Sequence, residues 1–129
     1  MKKIFIYTNN TEMSRSIEKT FRQKLVKSGL TACSEYSDDT DLIICIGGDG
    51  TLLRLVQDFG FPKTPIVGIN TGHLGFFQEI LPEKIDDFIF LYNQGRYSIQ
   101  GLNGVSCVVR TASHITKHIA LNEITVKGM

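Results

Sequence analysis

Apolar residues along this chain fall into two kinds of run. Ile4 to Tyr7, Leu42 to Ile46 and Ile66 to Ile69 are short and continuous, rich in β-branched side chains, and followed by polar or glycine-containing turns. Runs of that length without alternation predict strands buried on both faces. Between them the spacing is helical. Ile17, Phe21 and Leu25 recur every four residues as one apolar stripe, which Gly29 closes as a left-handed cap. Leu52, Leu53, Leu55 and Val56 continue at helical spacing after the second strand. Ile85, Phe88, Ile89 and Tyr92 share one side of a third helix, with Pro82 suited to its first turn and Gly95 to its end. Strands alternating with amphipathic helices predict an α/β fold, a parallel sheet covered by helices on both faces.

After Gly95 the alternation stops. Tyr97 to Ile99, Val105 to Val109 and Ile119 to Val126 read as strands with no helix between them. The expected organisation is an α/β domain over residues 1–97 and the start of a β-rich domain over residues 98–129, which breaks off in mid-strand and is read as incomplete.

Composition narrows the class without naming a partner. A chain of 129 residues has room for one domain, or one and a fragment of another. Hydrophobic content of 42% and charged content of 21% are ordinary for a globular protein, and a net charge of +1 gives no sign of a polyanion-binding surface. Cys33, Cys45 and Cys107 are odd in number and share no short spacing, which argues against disulfides and against a cysteine-based zinc site. The basic start Met1-Lys2-Lys3 precedes an apolar stretch too short for a signal peptide, and no segment has the length of a membrane span. The expected compartment is the cytoplasm.

The chemistry gathers at strand ends. Gly47-Gly48-Asp49-Gly50-Thr51 lies between a buried strand and a helix, where glycines let a ligand approach the backbone and a helix start offers unpaired N–H groups. In open α/β sheets ligands sit beyond the carboxyl ends of the strands. Thr51 is read as the cap of the following helix. The lysine and spacing of a P-loop are missing, and so is the dinucleotide GxGxxG pattern. Asp49 is the distinctive residue. A carboxylate in a phosphate cradle repels the ligand unless it holds a cation or accepts a proton from an incoming hydroxyl, and phosphoryl transfer uses both. The plainer alternative is that Asp49 only braces a glycine-rich turn through side-chain to backbone hydrogen bonds.

Asn70-Thr71-Gly72-His73-Leu74-Gly75-Phe76 follows the next strand and is expected beside the first loop on the same sheet edge. Phe76 offers a stacking surface or is simply core. His73 and Arg54 could each face a phosphate or plain solvent. Asn122 and Glu123, adjacent in an apolar strand, suit ribose hydroxyls and an adenine edge, or are a solvated pair. They are expected on the same edge. His114 and His118 lack a third ligand, so no metal-binding residues are assigned.

Three of these stretches together resemble the NAD kinases: Gly47 to Leu53, Gly68 to Phe76 and Ala120 to Glu123, in the family's order. The first alone is shared with diacylglycerol and sphingosine kinases and, loosely, with phosphofructokinases. The second is far more specific. The resemblance implies transfer of a phosphoryl group from ATP or polyphosphate to the 2′-hydroxyl of the adenosine ribose of NAD, with a divalent metal, Mg2+ being expected. By position it makes Asp49 the proton acceptor and puts Asp49 and Gly50 in the NAD site. Asn122 and Glu123 would bind the dinucleotide, Phe76 would flank it, and Gly47, Gly48 and Thr51 would serve the phosphates. Asn70 and Gly72 of the second stretch join the binding set. It also implies a homo-oligomer, dimer or tetramer, with no nucleic-acid or membrane partner. Family members carry a longer β-rich NAD-binding domain, so residues 98–129 are expected to give only its beginning and the isolated chain weak or no turnover. The alternatives are a lipid kinase of the same superfamily, a catalytically silent nucleotide-binding module and a purely structural α/β domain.

Overall fold

The computed structural model describes residues 2–60, 62–71, 80–102, 108–111, 114–117 and 121–126, with backbone alone from residue 98 onward. The elements in chain order are β1 (Lys3–Thr8), α1 (Glu12–Lys27), β2 (Thr31–Cys33), β3 (Leu42–Gly47), α2 (Asp49–Asp58) and β4 (Ile66–Asn70). A 3-10 turn at Pro82–Lys84 leads into α3 (Ile85–Asn93), and four strands follow: β5 (Tyr97–Leu102), β6 (Val108–Thr111), β7 (His114–Lys117) and β8 (Leu121–Val126). The three continuous apolar runs are the three central parallel strands, and each helix with its strand gives the α/β layering that the pattern predicts.

One sheet runs β2-β1-β3-β4-β8-β5, while β6 and β7 form a separate antiparallel pair. Strands β2, β1, β3 and β4 are parallel throughout, so each successive pair is joined by a crossover, through α1 from β1 to β2 and through α2 from β3 to β4. Strand β8 pairs parallel to β4 with Ile66 opposite Glu123, and β5 pairs antiparallel to β8 from Tyr97–Val126 to Leu102–Leu121. Residues assigned from the sequence to a second unit therefore extend the first unit's sheet.

Side-chain alternation sorts the strands into two cores. Ile4 and Ile6, Ile44 and Ile46, and Val67 and Ile69 pack with Phe21 and Leu25 of α1 and with Ile85, Phe88 and Tyr92 of α3. On the opposite face Phe5, Ile43, Cys45 and Ile66 pack with Leu52, Leu55 and Val56 of α2. Cys45, fully buried there, behaves as a small hydrophobe. Each buried Phe, Leu or Ile contributes about 1.5–3 kcal/mol by leaving water.

The helix ends follow local rules. Thr11 caps α1 by accepting the Ser14 N–H at 3.1 Å. At the far end Leu30 N–H donates to the Leu25 carbonyl and Gly29 N–H to that of Val26, with Gly29 at φ 77°. Arg96 and Gly95 repeat this closure on Leu91 and Tyr92, with Gly95 at φ 69°. Both are glycine-closed Schellman ends. Among the described residues no helix is long and apolar enough to cross a membrane.

Candidate active site

The carboxyl ends of β1, β3 and β4 form one edge, because their register brings Thr8 opposite Ile46 and Gly47 opposite Asn70. Three turns therefore leave the sheet side by side, after Thr8, Gly47 and Asn70. The predicted neighbourhood of the first two loops is met at their bases, Gly47 and Asn70. Residues 72–79, which include Gly72, His73 and Phe76, lie outside the described residues. The neck of that second loop is tied to β4: Asn70 N–H donates to the Ile80 carbonyl at 2.7 Å, and Ile80 N–H to that of Gly68 at 3.1 Å. Asn70 itself is buried.

Helix α2 starts at Asp49, and Gly48 is its N-cap with no side-chain cap bond. This corrects the expectation for Thr51, which lies within the first turn and caps nothing. Asp49 is thus the first helical residue, partly exposed, beside the amide end of the helix, where a negative charge is favoured. Thr51 is buried and turned back on β3, so that a β-carbon built on Gly47 would lie 2.3 Å from Thr51 Oγ1. The same construction at Gly48 and Gly50 meets nothing within 4 Å. Neither Gly48 nor Gly50 has the left-handed backbone that favours glycine. The fold of the described residues thus requires glycine at 47 and leaves the space over 48 and 50 open. Bare backbone there leaves room for a group to approach the helix end.

The turn after β1 leaves the same end of the sheet as the two loops, a neighbourhood that no motif in the sequence marks. Asn10 stands at φ 65°, its carbonyl held by the Arg15 guanidinium at 2.9 Å, and Asn9 accepts from the Thr11 hydroxyl at 3.2 Å. The available signal was positional, since this turn, like the other two, follows a parallel strand and precedes a helix or loop on one edge. Arg54 is exposed on α2, near enough to Tyr7 for its charge to oppose the rise of the Tyr7 phenol.

Asn122 and Glu123 are not brought to this edge. Their backbone lies in β8, and the pairing of Glu123 with Ile66 sets them at the opposite end of β4 from Asn70. The physical reason is register, which no local pattern announces. His114 begins β7, and His118 lies outside the described residues. Among the described residues no group of three or more His, Cys, Asp or Glu is placed to hold a metal. A cavity of about 310 Å3 lies between Lys24, Lys27 and Ser28 of α1 and Ile89, Phe90 and Asn93 of α3. It is at the other end of the sheet from Asp49 and plays no part in this site.

Comparison with known proteins bears on the family and the fold. The family profile described as the ATP-NAD kinase N-terminal domain matches residues 2–97. An NAD kinase of Finegoldia magna is 38% identical over 127 residues, which are 97% of this chain and 46% of that protein. An NAD kinase of Staphylococcus saprophyticus is 34% identical over 97 residues, covering 72% of this chain and 36% of the relative. The crystal structure of an NAD kinase from Archaeoglobus fulgidus in complex with ATP superposes with a TM-score of 0.57 at 21% identity, over 78% of this chain and 42% of that one, a likeness of fold. The chain spans less than half the length of these relatives. With a matched profile over three quarters of its length and the glycine-aspartate turn at a parallel sheet edge, this chain belongs to the NAD kinase family.

Proposed function

We propose that this chain carries the phosphoryl-transfer edge of an NAD kinase, which moves a phosphoryl group from ATP or polyphosphate to the 2′-hydroxyl of the adenosine ribose of NAD. The carrying observation is Asp49 at the first position of α2, between two glycines that the fold leaves uncovered. Gly48 and Gly50 let phosphate oxygens approach the helix amides, and Asp49 accepts the proton of the attacking hydroxyl. The ribose oxygen then bonds to the γ-phosphorus as the bond to the β–γ bridging oxygen breaks, leaving ADP.

A divalent cation neutralises charge on the transferring phosphoryl group when bound. Mg2+ needs few protein ligands when phosphate oxygens and water complete its shell, so a cation here would be held mainly by the ATP phosphates, leaving Asp49 as the base. Asn70 sits at the base of the neighbouring loop, and Gly72 and Phe76 enter the proposal through the family resemblance, whereas Asn122 and Glu123, at the far end of β4, are left out of this edge. A homo-oligomer is proposed from the family resemblance and a cytoplasmic location from the unspaced, odd-numbered cysteines; light scattering and fractionation would check them.

The test is an assay of NADP formation in a protein carrying this chain, with ATP, Mg2+ and NAD. Asp49→Asn lowers turnover about 100- to 10,000-fold, the usual share of a general base, while NAD still binds by calorimetry. Wild-type turnover in the Asn variant sinks the assignment of Asp49. Heat of binding from a lipid headgroup, with none from NAD, would instead favour a lipid kinase.

A further inference from the structure

Strand β3 alternates between the two cores, with Ile44 and Ile46 toward α1 and α3, and Ile43 and Cys45 toward α2. Continuing that period of two puts Gly47 on the α2 side, at the point where the chain turns into α2. There the Thr51 side chain fills the place that a side chain on residue 47 would take. A β-carbon on Gly47 would stand 2.3 Å from Thr51 Oγ1, 2.8 Å from its Cβ and 3.1 Å from its Cγ2. Gly47 also holds φ at 151°, a conformation that L side chains rarely adopt. Thr51 is 4% exposed, which leaves its hydroxyl almost no surface for a phosphate oxygen.

We infer that Thr51 is a positioning residue, locked against Gly47, that fixes the start of α2 on the end of β3 and so sets where the Gly48, Asp49 and Gly50 backbone meets the phosphates. Gly47 and Thr51 face the protein. Gly48, Asp49 and Gly50 face the ligand. The inference rests on reading that turn as a phosphate site, and it divides the five-residue motif into a ligand-facing part and a part that aims it. The first turn of α2 hangs on the Gly48 carbonyl, which accepts from Thr51 N–H at 3.1 Å and Leu52 N–H at 3.3 Å. Loosening Thr51 in its socket should free those two amides before it disturbs β3.

Amide hydrogen exchange in the nucleotide-free chain reads this directly. Thr51→Ala speeds exchange at Leu52 roughly tenfold, the amides of Ile44 and Ile46 keep their wild-type rates, and Thr51→Val, which refills the socket, restores most of the protection. ATP affinity, by calorimetry, falls in the order wild type, Val, Ala. Three results would overturn the inference. One is unchanged Leu52 exchange in the Ala variant. Another is equal acceleration at Ile44 and Ile46, which marks a general loss of stability. The third is ATP affinity that survives in Thr51→Ser but collapses in Thr51→Val, which marks the hydroxyl as a ligand contact. Should a wild-type protein carrying this chain bind neither ATP nor NAD, the phosphate-site reading falls, and the exchange rates still decide whether Thr51 holds the turn.

Discussion

Single atoms decide the shape of the candidate site. Adding one methyl at position 47 meets the Thr51 side chain and forces a β-carbon into a left-handed backbone region. Gly47→Ala should therefore destabilise the folded chain by about 1–3 kcal/mol, the range for a strained conformation combined with overpacking. Urea unfolding would measure it, and a cost below a few tenths of a kcal/mol would mean that residue 47 relaxes freely. Gly48→Ala meets open space, so its cost should be only that of exchanging a glycine N-cap for alanine, about 1 kcal/mol or less, and a loss of nucleotide affinity beyond that reports on the ligand. At this scale the sequence shows which residues form the motif and hides which way each one faces. Two facts are needed for the facing, the parity of β3 and the residue at which α2 begins. Glycines at 48 and 50 are poor helix formers, so local propensity points to Thr51 as the cap, three residues beyond the observed cap at Gly48. Tertiary support from the buried Thr51 and Leu52 overrides that propensity.

Helix α2 is fastened at both ends, and the second fastening answers to pH. At its C-terminal end the Tyr7 hydroxyl donates to Asp58 Oδ2 at 2.7 Å, and Phe59 packs edge-on against Phe5 and Tyr7 with centroids 5.5 and 5.9 Å apart. Burial first, and then the Asp58 carboxylate, push the Tyr7 phenol from its ordinary value of 10 up to about 12. The protonated phenol is the form that the fold favours. Its contribution is thus complete below pH 10 and fades as pH rises through about 12. Tyr7→Phe should cost about 0.5–1.5 kcal/mol near neutrality, and the gap between wild type and variant should close over that alkaline window. Urea titrations of both proteins at stepped pH would show it; a gap that stays constant or widens contradicts the bond. Among the elements, β1, β3, β4 and the three helices are plain in the sequence, because buried strands need unbroken apolar runs and the helices need a stripe. The three-residue strand β2 gives no such signal, since Thr31, Ala32 and Cys33 are only partly buried at a sheet edge.

For the molecule as a whole, what is local is readable and what depends on pairing across the chain is not. The order of β1, β3 and β4 follows from crossover rules, whereas the insertion of β8 beside β4, and with it the separation of Asn122 and Glu123 from the Asp49 edge, depends on a register set far away in sequence. The long-range tie at the other end of the α/β unit is equally silent in the sequence. Lys2, just before β1, donates its ammonium to the Tyr97 hydroxyl at 3.0 Å, at the start of β5, and lies 4.6 Å over the Tyr92 ring, which stacks on Tyr97. The first and last residues of the segment that matches the family profile are thus clasped together. The Tyr97 hydrogen bond raises the Lys2 ammonium above its ordinary value, as expected of a cation held by a phenol and an aromatic face. If this clasp joins the two ends, Lys2→Met and Tyr97→Phe must be coupled: the double variant should lose less than the sum of the singles by about 0.5–1 kcal/mol in urea unfolding. Strict additivity would show that Lys2 is an ordinary solvated lysine. The α/β unit would then be closed by its two cores, the Schellman end at Gly95 and the ties of Lys24 to Asp86 and of Asn93 to the Ser28 carbonyl.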